Sequence, residues 1–115
     1  MTDITVYHLK TCDTCRKALK ALSAAGHNIT AIDVRADGID TAKLKEIAEA
    51  VGWEALLNTR STTWRGLSDA EKSDMEGSKA LALMSQHPTL IKRPVIIGAQ
   101  TTAGWTKLQQ TMWLS

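Results

Sequence analysis

Cys12 and Cys15 stand two residues apart in the stretch KTCDTCRK, and they are the only cysteines among 115 residues. A pair at this spacing has three chemical uses: two ligands of a metal, two inert thiols filling a core, or thiol-disulfide chemistry. Zinc takes four protein ligands, or three and a water. Beyond this pair the chain offers His8, His27 and His87, none at ligand spacing from another, so no metal site is expected. Redox chemistry fits the surroundings better. On the first turn of a helix, residues i and i+3 share a face, which puts thiols at 12 and 15 within reach of a short disulfide. A sulfur at or just before a helix start also meets unpaired N–H groups and the positive end of the helix dipole. Lys10, Arg16 and Lys17 push the same way. All of these favour the thiolate, which is the nucleophile. Cys12 is then the attacking sulfur, and Cys15, one turn in, the resolving one. His8, four residues before Cys12, would add to this effect when protonated.

The elements that must position this pair can be read from periodicity. Residues 4–8 (ITVYH) form a β-branched and aromatic run, a first strand. Residues 15–25 carry a helical stripe at Ala18, Leu19, Ala21 and Leu22, stopped at Gly26. Residues 29–34 read as a second strand, so the cysteine pair opens the helix of a β-α-β unit. The middle is helical: 41–51 with Leu44, Ile47, Ala48 and Val51 on one face, a turn at 53–57, then 79–86. Residues 58–67 (NTRSTTWRGL) lack periodicity and read as a loop, and Ser68 with Glu71 form a capping box. The chain ends with a strand from Pro94 to Ile97, a turn and weak strand over 98–102, and a helix over 105–113. The expected fold is α/β and thioredoxin-like: one domain over 1–115, a central mixed sheet flanked by helices, and a helical insertion at about 40–86 between the β-α-β and β-β-α halves.

Two arginines lie beside loops: Arg60 in NTRSTTWR and Arg93 in IKRPV, with Arg65 a third candidate. Arginine suits a tetrahedral oxyanion or a carboxylate. Arg93 precedes Pro94, and in thioredoxin-like folds a cis-proline at that place faces the active cysteine. Among the tryptophans, Trp64 inside the loop is the one not assigned to packing.

These residues together resemble a known family. The pieces YH, CxxCRKA, LNTR and HPxLIxRP are similar to the arsenate reductase/Spx (ArsC-like) branch of the thioredoxin fold, and GWEALLNTRSTTWRGL is most like its YffB-type members. The resemblance runs from residue 4 to about 110. It implies a nucleophilic Cys12, oxyanion-binding arginines at Arg60 and Arg93, and a tuning role for His8. Arsenate reductases use glutathione and glutaredoxin to resolve the cysteine adduct. Their nucleophile loop reads CGTSR, where this chain has CDTCR. Asp13 adds an opposing charge, and Lys107 stands where a third arginine is expected. The expected function is therefore a glutathione-linked thiol-disulfide oxidoreductase, with glutathione as co-substrate and no bound cofactor. The alternatives are a true arsenate reductase, or a Spx-like redox regulator binding RNA polymerase.

The bulk numbers are compatible with this reading. Fourteen basic and 12 acidic residues leave a formal charge of +2, which gives no sign of a nucleic-acid or membrane partner. No apolar run approaches a membrane span, and a cytoplasmic monomer is expected.

Overall fold

The structure, a computed structural model, describes residues 3–114. It divides into two compact units, one reaching Gly38 and resuming at Arg93, the other Ile39–Lys92.

The first unit holds a four-stranded mixed sheet in the order β2-β1-β3-β4. The strands are β1 Asp3–His8, β2 Asn28–Asp33, β3 Val95–Ile97 and β4 Thr101–Ala103. β1 runs parallel to β2, with Ile4 beside Ile29 and His8 beside Asp33. It is antiparallel to β3, with Thr5 beside Ile97 and Tyr7 beside Val95, and β3 is antiparallel to β4. Helix α1 (Asp13–Ala24) crosses between the parallel strands. The closing helix α7 spans Lys107–Leu114. This is the thioredoxin-like α/β arrangement.

Alternation builds the core. Ile4 and Val6 point to one face of β1, because successive side chains of a strand alternate. There they meet Ile96 of β3, Leu22 of α1 and Trp113 of α7 in one buried cluster. Trp113 is anchored by its indole N–H, which donates to Thr102 Oγ1 at 2.9 Å. Its backbone oxygen lies 2.6 Å from His27 Nε2. Backbone comes close to this cluster at Gly98. A Cβ there would sit 2.9 Å from Ile4 Cγ2 and 3.2 Å from two ring carbons of Trp113.

The second unit is helical. α2 (Thr41–Val51) buries Leu44, Ile47 and Ala48 and stops at Gly52, whose φ of 88° suits glycine. Then come α3 (Trp53–Leu56), α4 (Thr62–Arg65), α5 (Asp69–Lys72), α6 (Gly77–Gln86) and a 3-10 turn at Pro88–Leu90. Within the unit, Leu57 and Ile91 form an isolated antiparallel bridge.

Most strand and helix ends fall one to three residues from the sequence reading, α1 for instance starting at Asp13 rather than 15; at three places a side-chain hydrogen bond accounts for the difference. The 58–67 loop contains α4, because the Ser61 side chain accepts the Trp64 N–H and caps a single turn. α6 starts two residues before 79, because Glu76 accepts the N–H groups of Ser78 and Lys79. The final helix starts at Lys107, not 105, where the Gln109 side chain accepts the Thr106 N–H at 2.8 Å.

Candidate active site

The topology itself explains how Cys12 and Arg93, 81 positions apart, meet. β1 delivers the chain to Cys12 at its carboxyl end, and β3 enters the sheet antiparallel from that same end. Arg93 and Pro94, just before Val95, are therefore set beside the start of α1. The Arg93–Pro94 peptide is cis, and Pro94 is fully buried. Open α/β sheets place ligands at the carboxyl ends of their parallel strands, which is where Cys12 lies.

Cys12 is the N-cap residue of α1, with extended backbone (φ −90°, ψ 116°). Its N–H donates to Leu9 O at 2.9 Å, closing a tight turn over Leu9–Cys12, and its carbonyl accepts the Arg16 N–H. Cys12 is partly exposed, whereas Cys15 is fully buried on the inner stripe of α1 with Ala18 and Leu22. Both thiols are free. Among the described residues no cluster of side chains could hold a metal ion.

The two sulfurs are pulled apart in acidity. Burial is the largest influence on Cys12 and pushes its pKa up. It is outweighed by the Cys15 N–H, the Cys15 thiol, the Arg93 charge and the Thr14 N–H, so the net shift is downward. For Cys15 burial prevails, reinforced by the neighbouring Cys12 sulfur, and its pKa is pushed up to about 11. A partly exposed, acidified thiol beside a buried, protonated one is the asymmetry expected of an attacking and a resolving cysteine.

Of the other residues singled out from sequence, Arg93 joins this pair; it is half-buried, and its charge acts on both sulfurs. Lys10 lies in the turn before Cys12 with its side chain exposed. His8 is buried at the end of β1, where its charge acts on Asp33. Arg60 and Arg65 belong to the other unit, and both are exposed. Asp13 forms an exposed ion pair with Arg16 across the first turn of α1. One of the basic residues credited with acidifying Cys12 thus has a carboxylate of its own.

Asp33 is the residue that sequence reasoning misses. It is 3% exposed, and its carboxylate accepts the N–H groups of Lys10, Arg35 and Ala36 at 2.8–2.9 Å. The Ala36 N–H is the foremost of the influences that lower its pKa to about 2. The available signal was an aspartate at the end of a strand followed two and three residues later by chain reversal, an Asx-turn pattern.

Known proteins share this architecture and sequence. Among curated proteins, an uncharacterized protein of Haemophilus influenzae is 47% identical over 96 residues, 82% of either chain. The arsenate reductase of Yersinia enterocolitica is 29% identical over 99 residues, 84% of this chain and 70% of that one. Among solved structures, the YFFB protein superposes with a TM-score of 0.90 at 34% identity, covering 97% of this chain and 99% of the other. Residues 7–109 match the ArsC family, and the chain belongs to that family.

Proposed function

We propose that the protein is a glutathione-linked thiol-disulfide oxidoreductase in which Cys12 attacks and Cys15 resolves. The observation that carries the reading is the placement of the two thiols at the start of one helix, Cys12 partly exposed at the N-cap of α1 and Cys15 buried one turn in, which displaces their pKa values in opposite directions.

The Cys12 thiolate attacks one sulfur of a substrate disulfide. The old S–S bond breaks, one thiolate departs and takes up a proton, and a mixed disulfide forms on Cys12. That step removes the negative charge from Cys12, one of the two influences of Cys12 that hold Cys15 protonated. Cys15 is thereby made more acidic only after the first step. Having lost its proton to solvent, it attacks Cys12 and releases the second substrate thiol. The substrate has gained two electrons, and the protein holds a Cys12–Cys15 disulfide. Two glutathione molecules restore the dithiol: the first forms a mixed disulfide with Cys12, and the second displaces it as oxidised glutathione. Arg93 supplies the positive charge that orients an anionic substrate; Arg60, by the family resemblance, and Arg65, by its place in the same segment, stand as anion-binding candidates of the helical unit.

The test is glutathione-dependent reduction of a small disulfide by purified protein. Cys12→Ser abolishes it, and full activity in that variant would refute the proposal. Cys15→Ser is expected to keep turnover with glutathione, which can resolve the Cys12 adduct directly, and to lose intramolecular disulfide formation.

A second reading, reduction of arsenate, draws on the Arg93 charge beside Cys12 and on the Yersinia relative. Asp13 counts against it, because a carboxylate on the first turn opposes a doubly charged oxyanion at the same helix end. Arsenate turnover in the presence of glutathione and glutaredoxin, with no disulfide reduction, would favour this reading over the first.

A further inference from the structure

Asp33 takes no part in the proposed electron transfer, yet its carboxylate accepts three backbone N–H groups at the edge of the site. Two of its three carboxylate bonds are local: Oδ1 accepts the N–H groups of Arg35 and Ala36, both at 2.8 Å, and so rounds off the end of β2. The third is not. Oδ2 accepts the Lys10 N–H at 2.9 Å across 23 positions of sequence. Lys10 is the second residue of the Leu9–Cys12 turn, which the Cys12 N–H closes on Leu9 O. The backbone of Leu9 also acts on the Cys15 sulfur. One carboxylate oxygen therefore fixes the turn on which both sulfurs depend.

The surroundings keep that oxygen charged and in place. His8 is the register partner of Asp33 across the parallel strands. Asp37 Oδ2 accepts the Asp33 N–H at 3.0 Å, which holds the backbone end of the same residue. Lys10 and Arg35 line a hollow of ≈ 270 Å³ together with Asp33, and His8 acts on Asp33 as a charge, so the neighbouring cations outnumber the one neighbouring carboxylate, Asp37. A carboxylate that accepts backbone N–H groups makes stronger bonds than a neutral acceptor does.

We infer that Asp33 is the positioning residue of the nucleophile: its bond to the Lys10 N–H holds the Leu9–Cys12 turn so that the Cys12 sulfur stays within reach of the first-turn N–H groups of Thr14 and Cys15. The inference rests on the reading of Cys12 as the attacking thiol. It names a residue outside the CxxC motif that controls how reactive that thiol is.

Asp33→Asn separates the tether from the local turn. The amide oxygen can still accept from Arg35 and Ala36, but the amide nitrogen then faces the Lys10 N–H, donor against donor. Two effects on Cys12 follow, of opposite sign. Losing a negative charge by itself makes the Cys12 thiol more acidic. Loosening the turn withdraws N–H groups from the sulfur and makes it less acidic. The tether predicts that the second effect wins.

The measurement is the rate of Cys12 alkylation by iodoacetamide across pH, with thermal unfolding of each variant as the fold check. In Asp33→Asn the midpoint rises by about half a pH unit or more, a roughly threefold loss of reactivity on the acid side. Asp33→Ser, which keeps one oxygen for the local turn, moves it in the same direction. A midpoint that falls or stays put in a folded variant overturns the inference. Should neither variant fold, the wild-type Lys10 amide decides: slow hydrogen exchange is expected, and exchange at the rate of an unprotected amide overturns the inference. An ordinary midpoint in the wild-type protein would count against the oxidoreductase reading instead, and leaves the Asp33 comparison standing.

Discussion

Treating the reduced protein with limiting iodoacetamide should label Cys12 and leave Cys15 untouched, by a margin that can be worked out. The Cys15 pKa of about 11 lies some two units above the value of 9.0 for an unperturbed thiol. At pH 7 about one Cys15 in 10⁴ is a thiolate, roughly a hundredfold fewer than for an ordinary thiol, and only the thiolate reacts. Cys15 is also fully buried, so the reagent must wait for an opening of the first turn of α1. Cys12 is partly exposed and shifted the other way. The expected selectivity is thus at least about 100-fold at pH 7. It should shrink once pH passes the lowered Cys12 pKa, because Cys12 then gains no more thiolate while Cys15 still gains about tenfold per unit up to pH 11. Peptide mapping after quenching at intervals, at pH 7 and pH 9, gives both rates. Cys12→Ser adds an internal check. Removing the Cys12 sulfur takes away its charge and its hydrogen bond, both of which raise the Cys15 pKa, so Cys15 should label faster in that variant than in the wild type. Equal labelling of the two thiols at pH 7, or a Cys15 rate unchanged in Cys12→Ser, would refute the assignment of roles.

Three further outcomes are expected. Gly98→Ala drives a methyl against Ile4 and Trp113, and overpacking of this kind costs about 1–3 kcal/mol, offset by a few tenths from the stiffer unfolded chain; urea unfolding should show a lower midpoint with an unchanged slope. Asp33 has a folded pKa depressed to about 2 from 3.8, so its contribution, about 1–2 kcal/mol, is complete above pH 4 and disappears as pH falls through 2; stability measured against pH should have a shallower acid limb in Asp33→Asn than in the wild type. Arg93→Ala withdraws a charge that lowers the Cys12 pKa, so the alkylation midpoint of Cys12 should move up, while Arg93→Lys restores most of the charge and little of the planar recognition of an anionic substrate, seen as a raised KM.

Much of the fold is legible in the sequence where a local rule acts alone. The helix over 41–51 was readable to the residue because its buried stripe, Leu44, Ile47 and Ala48, ends against a glycine that takes a positive φ. The capping box at Ser68 and Glu71 likewise forms as written. Short elements escaped. α4 has four residues, too few for a period, and is defined by the Ser61 cap alone. α6 opens on Gly77, a poor helix former, and needs the Glu76 carboxylate to hold its first N–H groups. At the site, the placement of Cys12 at a helix start follows from spacing. The approach of Arg93 does not: it depends on an antiparallel pairing across almost the whole chain, and is legible only once a thioredoxin-like fold is assumed, which sets the residue before Pro94 opposite the cysteine. Asp33 was invisible for a related reason. An aspartate ending a strand reads as a solvent-facing turn residue until a loop 23 positions earlier turns a backbone N–H toward it.

The exposed Asp13–Arg16 pair bears on how quickly substrates arrive. By closing a salt bridge on the rim of the site, it cancels a guanidinium that would otherwise project a field into solvent, and leaves Arg93, half-buried, as the near charge on Cys12. Fields from such a site are short-ranged and already weak beyond a Debye length of about 8–10 Å. Association with anionic disulfides should then proceed without strong electrostatic steering, and its rate constant should change little between low and physiological ionic strength. Opening the pair with Asp13→Asn would restore the field and, with it, a rate that falls as salt is added.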